Sequence, residues 1–168
     1  MTREEAKAYL RLETVHEDAL IDQLVASARS LCEAFLGRTL IRREVVETLA
    51  ASGAWERLGA GPVAAVTGVA AVGPDGSASA LPVDAYAVDI DPAGDGWVRA
   101  RGGGRISVTY VAGLAEDEGD VPAAIAQGVV RLVAHLHAHR DDAAEPPAAI
   151  AALWRPFRRI RLGLETRA

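Results

Sequence analysis

The order of apolar and polar positions divides the chain into a helical opening, a β-rich middle and a helical close. The longest unbroken helical pattern covers 122–140, where Ile125, Val129, Leu132, Val133 and Leu136 recur at the 3.6-residue spacing of one apolar stripe. Pro122 suits the first turn, where its missing N–H breaks no bond, and Asp120 places negative charge at the positive end of the helix dipole. Gly128 lies beside the stripe, although glycine costs about 1 kcal/mol relative to alanine in a helix interior. That spacing predicts close approach by another helix.

Upstream, Thr2 followed by Glu5 reads as a capping box for a short helix ending near Leu12, with Ala6, Tyr9 and Leu10 on its buried side. Thr14 and Glu17 repeat the device before a second helix over 17–36. Its buried stripe reads as Leu20, Leu24, Leu31 and Phe35, with Ala28 and Cys32 as shallow places, and Gly37 supplies the left-handed stop. Cys32 is read as a small packing residue, since no histidine or other base stands near it in sequence.

From 38 to 112 the period changes to two. Candidate strands cover 39–49, 66–72, 86–90, 97–100 and 105–111, the last alternating Ile106, Val108 and Tyr110 with Ser107 and Thr109. Pro74-Asp75-Gly76 predicts a hairpin into 78–81. Arg101-Gly102-Gly103-Gly104-Arg105 lacks the helix, lysine and hydroxyl residue of a phosphate-binding P-loop and reads as a flexible hairpin tip. The predicted fold class is α+β: a helical layer of two long helices (17–36 and 122–140) with shorter N- and C-terminal helices, and a small, mainly antiparallel β insertion. A single domain is expected over 1–154, its helical part being 1–36 and 121–154 and its β-rich insertion 38–112. A last helix over 147–154 ends near Pro156.

At 168 residues one core suffices, and no run of about 18 or more uncharged apolar residues is present, so no membrane span is expected. The acidic start, Met1 to Glu5, lacks the apolar core of a secretory signal, and the lone Cys32 has no internal partner; synthesis in the cytoplasm is expected. The net charge of −5 conceals a division that matters more. Five arginines against Glu165 make residues 155–168 a basic tail of +4, leaving −9 on residues 1–154. Such a tail could meet an acidic protein, a membrane surface or nucleic acid, or simply stand in solvent.

Candidate chemistry is sparse. The acidic loop 113–120 lacks the ligand spacing of an EF-hand and reads as a solvated linker. His135 and His139 share a helical face, but His137 lies about 200° round from His135, so one helix cannot gather all three on an ion. No nucleophile elbow or dinucleotide fingerprint is present, and neither cofactor, metal nor catalysis is expected. The strongest candidate is a surface comprising Trp154, Arg155, Phe157, Arg158, Arg159, Ile160, Arg161 and Leu162, whose mixture of arginine, aromatic and aliphatic groups suits either a partner interface or packing back on the same subunit. DNA binding through the arginine-rich tail is the alternative, opposed by the acidic body.

Glu5-Ala6-Lys7 with Leu10-Arg11, then Glu17-Asp18-Ala19-Leu20-Ile21 and Phe35-Leu36-Gly37-Arg38, followed by Leu81-Pro82 with Tyr86, Val111-Ala112-Gly113, Val121-Pro122 and Ala134-His135-Leu136 with Arg140, occur in an order and spacing that resembles a known family. It is that of the head-tail connector, or adaptor, proteins of long-tailed phages and of gene transfer agents. The likeness spans about residues 3–142; His137 and His139 stand where members often carry an aromatic and an asparagine, and the part after Pro147 varies most. What the resemblance implies is a structural, non-enzymatic protein in the neck of a virion or phage-like particle. It would form a homo-oligomeric ring of about twelve copies. The ring would sit between the portal protein and the tail-completion, or stopper, proteins and line a channel through which double-stranded DNA passes without sequence-specific binding. The same residues from Trp154 to Leu162 would then meet the portal.

Overall fold

Helix α1 (Arg3–Leu10) opens as its sequence predicts. In the computed structural model, which describes residues 2–139 and 146–159, Thr2 Oγ1 accepts from the Glu5 amide at 3.2 Å and the Glu5 carboxylate accepts from the Thr2 amide at 2.8 Å. Arg11, left-handed at φ 57°, ends the helix. Ala6 is buried and Leu10 half-buried, but Tyr9 stands 52% exposed rather than facing inward.

The second capping box does not form. Helix α2 (Asp18–Leu36) has Glu17 at its N-cap with no side-chain bond to the helix. Lys7 Nζ instead takes the Thr14 carbonyl at 2.8 Å and the Asp18 carboxylate at 2.5 Å, while Arg3 pairs with Asp22 at 2.6 Å, so charges on α1 hold the start of α2. The buried line of α2 is Ile21, Val25, Ala28, Cys32 and Leu36. That is about one residue round from the predicted stripe: Leu20, Leu24 and Phe35 are only half-buried and Leu31 is exposed. The small residues Ala28 and Cys32, read as shallow margins, are the centre of the contact, because small side chains let neighbouring helices approach.

Helix α3 (Ala123–Ala138) buries Ile125, Gly128, Val129, Leu132 and Val133, with Leu136 half-buried, as the pattern predicts. Pro122 stands at its N-cap, one place before the first helical residue. Helix α4 (Ala148–Trp154) comes next, then a 3-10 turn at Arg155–Phe157. These helices, with residues 2–40 and 115–159, form one compact unit of the chain.

The other unit, residues 41–114, holds seven strands: β1 (Arg43–Ala50), β2 (Glu56–Arg57), β3 (Val63–Val72), β4 (Ala78–Ala80), β5 (Tyr86–Ile90), β6 (Gly96–Ala100) and β7 (Arg105–Ala112). They make two sheets, ordered β1-β7-β3-β4 and β2-β6-β5, with every neighbouring pair antiparallel. The α+β class is therefore as read, but the β region is a pair of sheets rather than one.

Strand β7 is central to the larger sheet and sends Ile106, Val108, Tyr110 and Ala112 into the core beside Leu58 and Val98. Strand β1 starts at Arg43, not at residue 39, since the Leu40 amide is already donated to Glu33 Oε1 at 2.7 Å. The 74–76 hairpin forms as predicted: Asp75 Oδ1 accepts from the Ser77 amide at 3.0 Å and Gly76 takes φ 82°. Residues 101–104 are not a hairpin tip, because β6 and β7 belong to different sheets; three successive glycines at positive φ carry the chain from one to the other.

Candidate interaction surfaces

The segment from Trp154 to Arg159 is built on the helical unit from the inside outward. The Trp154 side chain is fully buried: its Nε1–H is donated to the Ile125 carbonyl at 3.2 Å, and its ring meets Phe35 with centroids 5.7 Å apart. Of the eight residues expected at a partner surface, this one is used within its own subunit. An apolar indole with one donor finds there both an apolar bed and an acceptor.

Beyond Trp154 the chain turns outward. Arg155 and Arg158 are exposed and Phe157 is half-buried. The Arg158 guanidinium lies over the Phe35 ring, 5.2 Å from its centroid. The Arg159 amide is donated to the Leu36 carbonyl at 2.9 Å, which fills one of the acceptors left open at the C-terminal end of α2. Gly37, left-handed at φ 65°, makes room for this crossing: a Cβ there would come within 3.4 Å of the Arg159 carbonyl oxygen. The Arg158 guanidinium thus lies near the negative end of the α2 dipole, where positive charge is favoured. Ile160, Arg161 and Leu162 lie outside the described residues.

The histidines sit as helical geometry requires. The rings of His135 and His139 are 4.5 Å apart, whereas His137 turns away and brings Nε2 to 3.6 Å from Glu17 Oε2. Among the described residues no group of three or more histidine, cysteine or acidic side chains is placed to hold a metal ion. Cys32 is fully buried, and burial pushes its thiol up to about 12, in keeping with a packing residue rather than a nucleophile.

The acidic loop is more ordered than a linker needs to be. Asp117 accepts from the Gly119 amide at 2.7 Å, and Glu118 pairs with Arg29 of α2. In the β unit, a concavity beside Arg99 and Arg101 escaped the sequence reading, because the alternation within β5 and β6 does not show that Tyr86 pairs opposite Ala100; an Arg-x-Arg pair at the end of a strand was the one signal. No helix among the described residues is long and apolar enough to cross a membrane.

Neither a protein-family model nor a curated protein matches this sequence. The structure does have counterparts among solved particles. It matches a chain described as the neck of an empty gene transfer agent particle computed with C6 symmetry, at 24% identity and TM-score 0.79, over 96% of this chain and 91% of that one. A chain from the virion of a native gene transfer agent particle matches at 26% identity and TM-score 0.75, again over 96% and 91%. A third, from the neck of a native particle computed with C12 symmetry, matches at 26% and TM-score 0.72, over 93% and 89%. The likeness to neck proteins that the order of motifs carried is borne out over nearly the whole chain.

Proposed function

We propose that this chain is a structural subunit of the neck of a gene transfer agent or similar phage-derived particle, a head-tail connector that closes into a ring between portal and stopper proteins. The observation that carries this is the match, at 26% identity and over 96% of the chain, to a chain of a gene transfer agent virion. A twelvefold ring accords with the C12 symmetry under which one similar neck was computed. A closed ring needs a heterologous contact, one patch meeting a different patch on the next copy, and an asymmetric subunit of helical and β-rich units supplies dissimilar faces.

The basic tail docks onto the portal. Trp154 fixes the origin of the segment from within, and Arg155, Phe157, Arg158 and Arg159, continuing into Ile160, Arg161 and Leu162, present cationic and apolar groups to the partner. The −9 on residues 1–154 suits a channel wall along which duplex DNA slides, because phosphates find few cations to displace their counterions. The role is one of shape and assembly, with no chemical turnover.

The test is reconstitution with the portal. Full-length protein should form a ring-shaped complex with it, read by native mass or imaging, and removing 160–168 should abolish attachment without altering the thermal melt. Attachment that survives this truncation would move the portal site elsewhere; a protein that stays monomeric with its portal would overturn the connector role.

A further inference from the structure

Arg99 and Arg101 open on a single concavity of about 230 Å³ in the β-rich unit, whose other walls are Asp84, Ala85, Tyr86 and Ala87. Arg99 is half-buried and lies over the Trp55 ring, 4.8 Å from its centroid, which orients the planar fork while leaving its donors without an acceptor. Among the described residues neither guanidinium takes part in a hydrogen bond or an ion pair, although Asp84 lines the same hollow. Elsewhere Arg3, Arg29 and Arg57 each have a carboxylate. Two unpaired forks facing one carboxylate leave an excess positive charge, in a shape that suits a flat anion held by paired N–H donors.

The complementary surface is the acidic loop. Glu116, Asp117, Glu118 and Asp120 put four carboxylates into five residues, and Glu116, Asp117 and Asp120 are exposed or half-buried. The loop is already held by the Asp117–Gly119 and Arg29–Glu118 bonds, so little ordering entropy is lost when it docks. The Asp120 carboxylate has no partner among the described residues.

We propose that the Arg99–Arg101 concavity receives the acidic loop 116–120 of the next copy of this chain, as the heterologous contact that closes the ring. This rests on the proposed ring. Duplex DNA is the other polyanion to consider. It is recognised by stripes of cations along a surface, whereas these two arginines occupy a hollow with Asp84 in its wall, which fits one carboxylate better than a run of phosphates.

A charge exchange in the full-length protein, reconstituted with its portal, tests the contact. Three variants are compared with the parent: Arg99→Glu with Arg101→Glu, Glu116→Arg with Asp120→Arg, and all four together, each checked by thermal melt. Each pair should lower the yield of rings by about tenfold or more, and the fourfold variant should recover most of it, as expected when opposed charges are exchanged across an interface. Rings at parental yield in both pairs, or folded pairs that the fourfold exchange fails to rescue, would overturn the contact while leaving the ring intact. So would loss of salt-dependent duplex binding in the arginine pair at unchanged ring yield. A parent that forms no ring would overturn the ring and this contact together.

Discussion

The Trp154 indole occupies the space that Gly128 leaves on α3. A Cβ at 128 would stand 2.8 Å from Trp154 Cε2 and 2.9 Å from Cδ1, and nearer still to Nε1. The largest side chain of α4 and the one residue of α3 without a side chain are therefore a single joint, held further by the bond from the indole to the Ile125 carbonyl.

Substitution at this joint should be costly in a specific way. Gly128→Ala would gain about 1 kcal/mol of helix propensity yet lose more by displacing the indole, for a net loss on the order of 1–3 kcal/mol in urea unfolding. Trp154→Ala should cost about 3–5 kcal/mol. In the Trp154→Ala background Gly128→Ala should become neutral or stabilising; an unchanged penalty there would mean the two do not meet.

Tyr110 in β7 donates its hydroxyl to Glu47 Oε2 at 2.9 Å and accepts the Ala60 amide at 3.1 Å. Tyr110→Phe leaves that amide without its acceptor and should cost about 1–3 kcal/mol by chemical unfolding.

The same tyrosine gives a pH signature. Burial pushes its phenol up to about 12, with the Ala60 amide opposing and Glu47 adding, so the folded state holds the proton more tightly than the unfolded chain, whose value is near 10.0. Its contribution is complete below pH 10 and is lost as the pH rises toward 12. Stability measured across that window should fall in the parent and fall less in Tyr110→Phe.

Cys32 should resist thiol reagents in the native protein, since it is fully buried and its thiol is raised to about 12. Labelling should track unfolding in denaturant, with native protein reacting at least ~100-fold more slowly than unfolded chain. Rapid labelling of folded protein would place the thiol at the surface.

Gly113 closes the β unit at a position no side chain fits. Its φ is 155°, and a Cβ there would fall well under 3 Å from the Arg42 amide nitrogen and Cα. Gly113→Ala should lower the melting temperature by more than Gly103→Ala, where a Cβ would meet nothing within 4 Å. Equal shifts would show that the Arg42 crossing is loose.

Where a single chain segment carries the information, the sequence was legible. The stripe of α3, the alternation of β7, the turn at Asp75-Gly76 and the capping pair of Thr2 and Glu5 are all local, and all stand in the structure. The face of α2 was misjudged because leucines on both flanks outweighed Ala28 and Cys32, while the packing selected small residues. Thr14 does not cap α2 because the helix starts only at Asp18, and the Thr14 carbonyl accepts from Lys7 instead. Periodicity carries no information on strand partners, so the division into two sheets, and with it the Arg99–Arg101 hollow, could be read only from the fold. In the C-terminal segment the sequence did not reveal that Trp154 points inward to meet a glycine 26 positions earlier.

The bond from the Arg159 amide to the Leu36 carbonyl gives the tail a mechanical character. Together with the bond from the Trp154 indole to the Ile125 carbonyl, it anchors residues 154–159 at two points of the helical unit, the end of α2 and the start of α3. Losing either anchor would leave the segment held by the other alone.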